Sequence, residues 1–180
     1  MTRRGTPGRE NAAARSTERQ IWYGYGQLTR VEKSRFGVFL HDTTRLFAEV
    51  SVFSLPVLFS VMEYPATGWF DAKATGIVAW LTAVLVGTLV RGGFIRPLAT
   101  TTPGWVTLSP SLLLARVPYF NAGLALAIFG GLHVGQSVTG LTLANGAAGA
   151  VTGLAWAAGV ATLLSLCFPW FAERWLSVIG

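Results

Sequence analysis

The sequence predicts an all-α integral membrane protein: a four-helix transmembrane bundle preceded by a cytoplasmic N-terminal amphipathic helix. Three observations predict it. Residues 1–45 hold nine of the fourteen Lys and Arg residues. The following 135 residues hold only nine charged residues of either sign, separated by four long apolar runs. Charged residues make up 12% of the chain, about half the quarter usual in a soluble domain. One apolar run fits inside a soluble core; four do not.

Residues 1–28 are rich in Arg, Gly, Ala and small polar groups, with Pro7 and no apolar period. They bury too little surface to order themselves and are expected to form a disordered basic cytoplasmic tail. Residues 29–45 are expected to form a juxtamembrane amphipathic helix. Thr29 and Glu32 have capping-box spacing, and Val31, Phe36, Phe39, Leu40 and Thr43 recur at helical intervals.

Residues 46–180 form the expected four-span domain, since a bilayer core of about 30 Å takes roughly 20 helical residues. The first span, about 46–63, carries Glu49 and Pro56, and the proline is expected to kink or weaken it. The second, about 74–90, ends at Arg91. The third, about 111–132, carries Arg116, Pro118 and Asn121. The fourth, about 147–168, has no charge, and Pro169 opens a short interfacial tail. Twelve basic residues then flank one face of the membrane, and Lys73 alone flanks the other. Both termini are therefore expected in the cytoplasm of a multi-pass cell-membrane protein. Tyr64, Trp69 and Phe70 at the outer boundary and Trp105, Trp170 and Trp175 at the inner one agree, as amphipathic rings favour headgroup levels.

Small residues repeat every fourth position on the last two spans. Gly123, Ala127, Gly131 and Gly135 form one row, and Gly149, Gly153, Ala157 and Ala161 the other. Such rows let two backbones approach closely in lipid, where van der Waals contact drives much of the association. An antiparallel register pairing Gly131 with Gly149, Ala127 with Gly153 and Gly123 with Ala157 is expected, centred on Gly140. A homodimer seam is the competing use of the same faces.

Ionisable groups inside a bilayer cost about 2.5–3.5 kcal/mol each on insertion scales, which makes them default functional candidates. Glu49 and Arg116 fall in the same, inner leaflet and can pair across the bundle. Arg45 is a competing partner one turn from Glu49, and Arg116 can instead reach the headgroups. Glu49, Arg116 and Asn121 form the candidate intramembrane polar site, although Asn121 also suits a plain inter-helix hydrogen bond. His41 and His133 fall at opposite ends of the bundle and cannot share a metal. Cys167 is the single cysteine, which excludes intramolecular disulfides and Cys-based zinc sites.

No phosphate-binding loop, dinucleotide fingerprint, zinc-protease helix or nucleophile elbow is present, so no catalytic residue, cofactor or metal is assigned. The basic charge is confined to the tail, which points to anionic headgroups rather than nucleic acid. Three functions follow as expectations. The first is a non-enzymatic accessory or assembly subunit of a membrane complex. The second is a small oligomeric transporter or channel lined by Glu49, Arg116 and Asn121. The third is a membrane-embedded enzyme using His41, Asp42 and Glu49 on the cytoplasmic side.

Overall fold

The computed structural model describes residues 35–65, 70–100, 104–106, 110–141 and 146–179. The tail at 1–28 and the Thr29–Glu32 capping box lie outside the described residues. Among the described residues five helices follow in order: α1 (Arg35–Phe53), α2 (Leu55–Glu63), α3 (Ala72–Arg91), α4 (Pro110–Leu141) and α5 (Ala147–Ile179). No strand occurs among the described residues. Three helices, α3, α4 and α5, are long and apolar enough to cross a membrane, and α1 with α2 makes a fourth candidate if the bent pair is one span.

The expected boundary between amphipathic helix and first span, at 45/46, is not where the chain bends. Helix α1 runs without interruption from Arg35 to Phe53, and the turn comes at Ser54, with α2 inclined 70° to α1. Pro56 explains the position. It has no N–H for the Val52 carbonyl, and its ring crowds that carbonyl. A proline in the first turn of a new helix meets neither difficulty, and it stands there at the start of α2.

The contacts of the bent pair with α3 run in reverse order along the two segments. Asp42 meets Arg91, Leu46 lies against Gly87, Ser51 meets Trp80, and Val61 lies against Gly76. The first candidate span therefore follows α3 from one end to the other despite its break. Helix α3 begins where Asp71 accepts from the backbone N–H groups of Lys73 (2.9 Å) and Ala74 (3.1 Å), the geometry of an N-cap. It ends before Gly93, whose φ of 74° is the left-handed conformation that glycine adopts without strain.

The last two helices are longer than the sequence suggests. Helix α4 has 32 residues and runs through Pro118, and α5 has 33 and runs through Pro169. At 1.5 Å per residue each is about 48–50 Å long, more than a hydrocarbon core requires. Pro169 therefore does not end the fourth helix; the residues expected as an interfacial tail continue it. Proline is tolerated because neighbours restore the freed backbone groups. In the turn before Pro169 two carbonyls take bonds from other elements: Leu166 from the Leu98 N–H (2.9 Å) and Leu164 from the Tyr119 hydroxyl (2.8 Å).

Helices α4 and α5 form the tightest contact in the molecule, along the small-residue rows. A Cβ added at Gly131 would come within 2.7 Å of the Gly153 carbonyl oxygen, and one at Gly135 within 2.8 Å of the Gly149 carbonyl oxygen. The register differs from the expected one by a full turn: Gly131 faces Gly153 and Ala157, Gly135 faces Gly149, and Gly123 faces Leu164. The aromatic ring of Phe70 enters the same groove, against Gly135 and Gly153. Phe70 is thus partly buried against the hairpin.

Candidate functional site

One face of α1 carries the polar chemistry. Asp42 and Glu49 stand seven residues apart, two helical turns, with the fully buried Leu46 between them and Val50 beside Glu49. Each carboxylate meets an arginine from a different helix. The Arg91 Nε, at the end of α3, donates to Asp42 Oδ1 at 2.8 Å. The Arg116 Nε, in the second turn of α4, donates to Glu49 Oε1 at 2.7 Å.

The inner pair is sealed. The Arg116 side chain has no exposed surface and that of Glu49 only 4%. The same Glu49 oxygen accepts from the Trp105 indole N–H at 3.0 Å, and Arg116 Nη2 donates to the Val106 carbonyl at 2.7 Å. Aromatic rings close the remaining sides. Phe168 on α5 lies 5.0 Å from the guanidinium carbon and Phe53 lies 6.0 Å away, within cation–π range. Trp105 stacks on Phe168 at 4.8 Å, and Phe120 stacks on it at 5.3 Å. Buried charges of opposite sign, paired and hydrogen-bonded, offset the desolvation that either would suffer alone. Within the two pairs, Arg116 Nη1 and Asp42 Oδ2 have no hydrogen-bond partner among the described residues.

The chain between α3 and α4 brings Trp105 to this site. Thr100 donates to the Glu173 carboxylate at 2.8 Å, and Leu98 is bonded to the Leu166 carbonyl, so this segment lies along α5. Gly104, with φ at 101°, turns the chain inward, and Gly104, Trp105 and Val106 are all buried. Trp105 is therefore an interior residue and not the inner-boundary residue that its place between two spans suggested. Ala99 also has a positive φ of 58°, uncommon for a residue with a Cβ.

Asn121 lies one and a half turns beyond Arg116 and serves a different place. Its Oδ1 accepts from the Val57 N–H (3.0 Å), and its Nδ2 donates to the Phe53 carbonyl (2.7 Å). Those two backbone groups are four apart, the pair that a continuous α-helix bonds to each other. Asn121 stands in for the helical bond that the turn at Ser54 opens. The three candidate polar residues thus line the α1–α2/α4 seam in sequence, with Glu49 and Arg116 joined to each other and Asn121 joined to the break.

Residue pattern gave no sign of Trp105, Val106 or Phe168, nor of the Asp42–Arg91 pair. The seven-residue spacing of two acids on an amphipathic face is the one signal that marks them. His41 and His133 are both exposed and stand on different helices. No group of three or more His, Cys, Asp or Glu side chains is placed to hold a metal among the described residues.

The model of a family described as a domain of unknown function, DUF8215, matches residues 33–175. The chain belongs to that family. The DUF8215 region takes in both ion pairs, Trp105, Phe168 and Asn121 and leaves most of the basic tail outside. No curated protein and no solved structure matches the chain.

Proposed function

We propose that this DUF8215 protein is a four-span membrane protein, with both termini cytoplasmic, that acts as an accessory or assembly subunit of a membrane complex. The topology rests on the excess of basic residues at one end of the bundle, on three long apolar helices, and on a bent first helix pair that follows α3 over its length. The basic tail then lies against anionic headgroups, each Lys or Arg near the surface adding about 1 kcal/mol of attraction.

One observation carries the choice of role: the polar residues that would line a pathway are spent on holding helices together. Glu49 is taken by Arg116 and Trp105, and Asn121 by the backbone at the break. A transport site keeps its charged groups on a wet route, and a catalytic site gathers several reactive groups. Here Asp42, His41 and Glu49 serve separate contacts or face outward, which counts against a cytoplasmic-side active site.

The role is tested by reconstitution and by native electrophoresis. Liposomes containing the purified protein should show proton and alkali-cation flux equal to that of protein-free liposomes. Membranes of the source cell, gently solubilised, should show the chain in a discrete assembly that a second membrane protein shares. Flux that Glu49→Gln abolishes would replace this reading with the transporter, and migration as a lone chain would remove the assembly role.

A further inference from the structure

The geometry points to Ser54 as a working hinge, at which α2 exchanges between the bent position latched by Asn121 and a straighter position in which the helix bond between Phe53 and Val57 closes. The break centres on two peptide groups that Asn121 holds. On either side the backbone bonds are kept, Ser54 N–H to the Val50 carbonyl at 3.1 Å and Leu58 N–H to the Ser54 carbonyl at 3.0 Å. Between them the Phe53 carbonyl and the Val57 N–H are parted, and a single side-chain amide holds both, while the Val52 carbonyl faces Pro56 and has no helical N–H to accept from. Straightening returns them to each other. The Phe53 carbonyl and the Val57 N–H are satisfied in either position, which removes one obstacle to moving a helix inside a membrane.

Asn121 remains anchored in both positions, since its Nδ2 also donates to the Val117 carbonyl on its own helix at 2.7 Å. The positions therefore differ by about one hydrogen bond and by the crowding of the Val52 carbonyl by the Pro56 ring in the straighter one. A gap of that size leaves the straighter position as a minor population at ordinary temperature.

The two arms of the hinge are held very differently. Helix α1 is fixed by the Asp42–Arg91 and Glu49–Arg116 pairs and by the Trp80 indole N–H, which donates to Ser51 Oγ at 3.2 Å. Helix α2 buries only Val57 and Val61 and has no ion pair among the described residues, and Leu55, Phe59 and Met62 face outward. Val61 rests on Gly76, which presents a smooth surface with no side chain to interlock. The moving arm is α2.

Pulsed electron–electron distance measurements in nanodiscs test the hinge, with Cys167→Ala as background. One label pair, Phe59→Cys with Ile77→Cys, reads α2 against α3. A control pair, Leu40→Cys with Leu85→Cys, reads α1 against α3. All four positions are exposed. The α2 pair should give two distances, the second in about a tenth of the molecules. Asn121→Leu, which removes the latch, should raise that second population several-fold. Pro56→Ala, which lets the Val52 carbonyl regain a partner, should do the same with Asn121 intact. The control pair should keep one distance throughout. A single α2 distance in the unaltered protein overturns the hinge whatever the variants do, and so does a second population that neither variant raises. If Asn121→Leu also scatters the control pair, it has unfolded the bundle, and Pro56→Ala alone decides by the same two outcomes.

Discussion

An arginine without exposed surface persists among Leu, Phe and Val only because each neighbour answers part of its charge. Glu49 supplies the opposite charge, Val106 a carbonyl, and Phe168 the face of a ring. Removing one partner of a buried pair leaves the other uncompensated, at about 3–5 kcal/mol, whereas replacing both with apolar residues is often neutral. Glu49→Leu or Arg116→Leu alone should therefore lower the unfolding temperature in detergent sharply, and the double variant should recover most of the loss. Additive losses would show that the two residues act apart. Trp105 separates into two contributions. Trp105→Phe keeps the stack on Phe168 but loses the hydrogen bond to a charged group, about 1.5–3 kcal/mol. Trp105→Ala also opens a cavity and should cost more, about 3–5 kcal/mol from the ring alone. Equal effects from the two would mean that the ring adds nothing beyond its N–H, and no loss from Trp105→Phe would mean that the N–H contributes nothing. Glu49 and Arg116 were legible as partners because the topology put them in one leaflet. Trp105 was not, because no periodicity marks a residue on an irregular segment, and only the turn at Gly104 sends it inward.

Between α4 and α5, glycine carbonyls approach so closely that a side chain has no room. Gly153→Leu should destabilise the hairpin strongly, since even modest overpacking costs about 1–3 kcal/mol and here the obstacle is the backbone at Gly131. Gly159 on the same helix has nothing within 4 Å of an added Cβ, so Gly159→Leu should leave thermal stability unchanged. Loss from both substitutions, or from neither, would detach the effect from the groove. The faces were legible from the four-residue repeat, but the register was not. A row of period four matches its partner nearly as well after sliding one turn, so the repeat itself is blind to the shift. Leu164 against Gly123 and Phe70 against Gly135 and Gly153 break that degeneracy, and neither belongs to the rows. Pro56 likewise announced a bend in the first span. Its 70° angle was not legible, nor was the residue that holds the opened bond, because Asn121 lies more than sixty positions away.

At the scale of the whole molecule, the helices are tied in pairs by different means. Helix α1 is bound to α3 and α4 by charge, α2 to α4 by one amide, and α4 to α5 by bare backbone contact. Apolar side chains such as Phe59, Leu81, Leu126 and Leu163 face outward around this framework, the arrangement that a hydrocarbon solvent accommodates and water does not. The proposed role and the proposed orientation both rest on four crossings of the membrane with both ends on the basic side. Labelling of single cysteines by a membrane-impermeant maleimide, in a Cys167→Ala background, tests this most directly. Lys73→Cys and Ser137→Cys should react in intact cells, while Thr2→Cys, Arg96→Cys and Ser177→Cys should react only after permeabilisation. Reaction of Thr2→Cys or Ser177→Cys in intact cells, or protection of Ser137→Cys, would contradict the four-span arrangement.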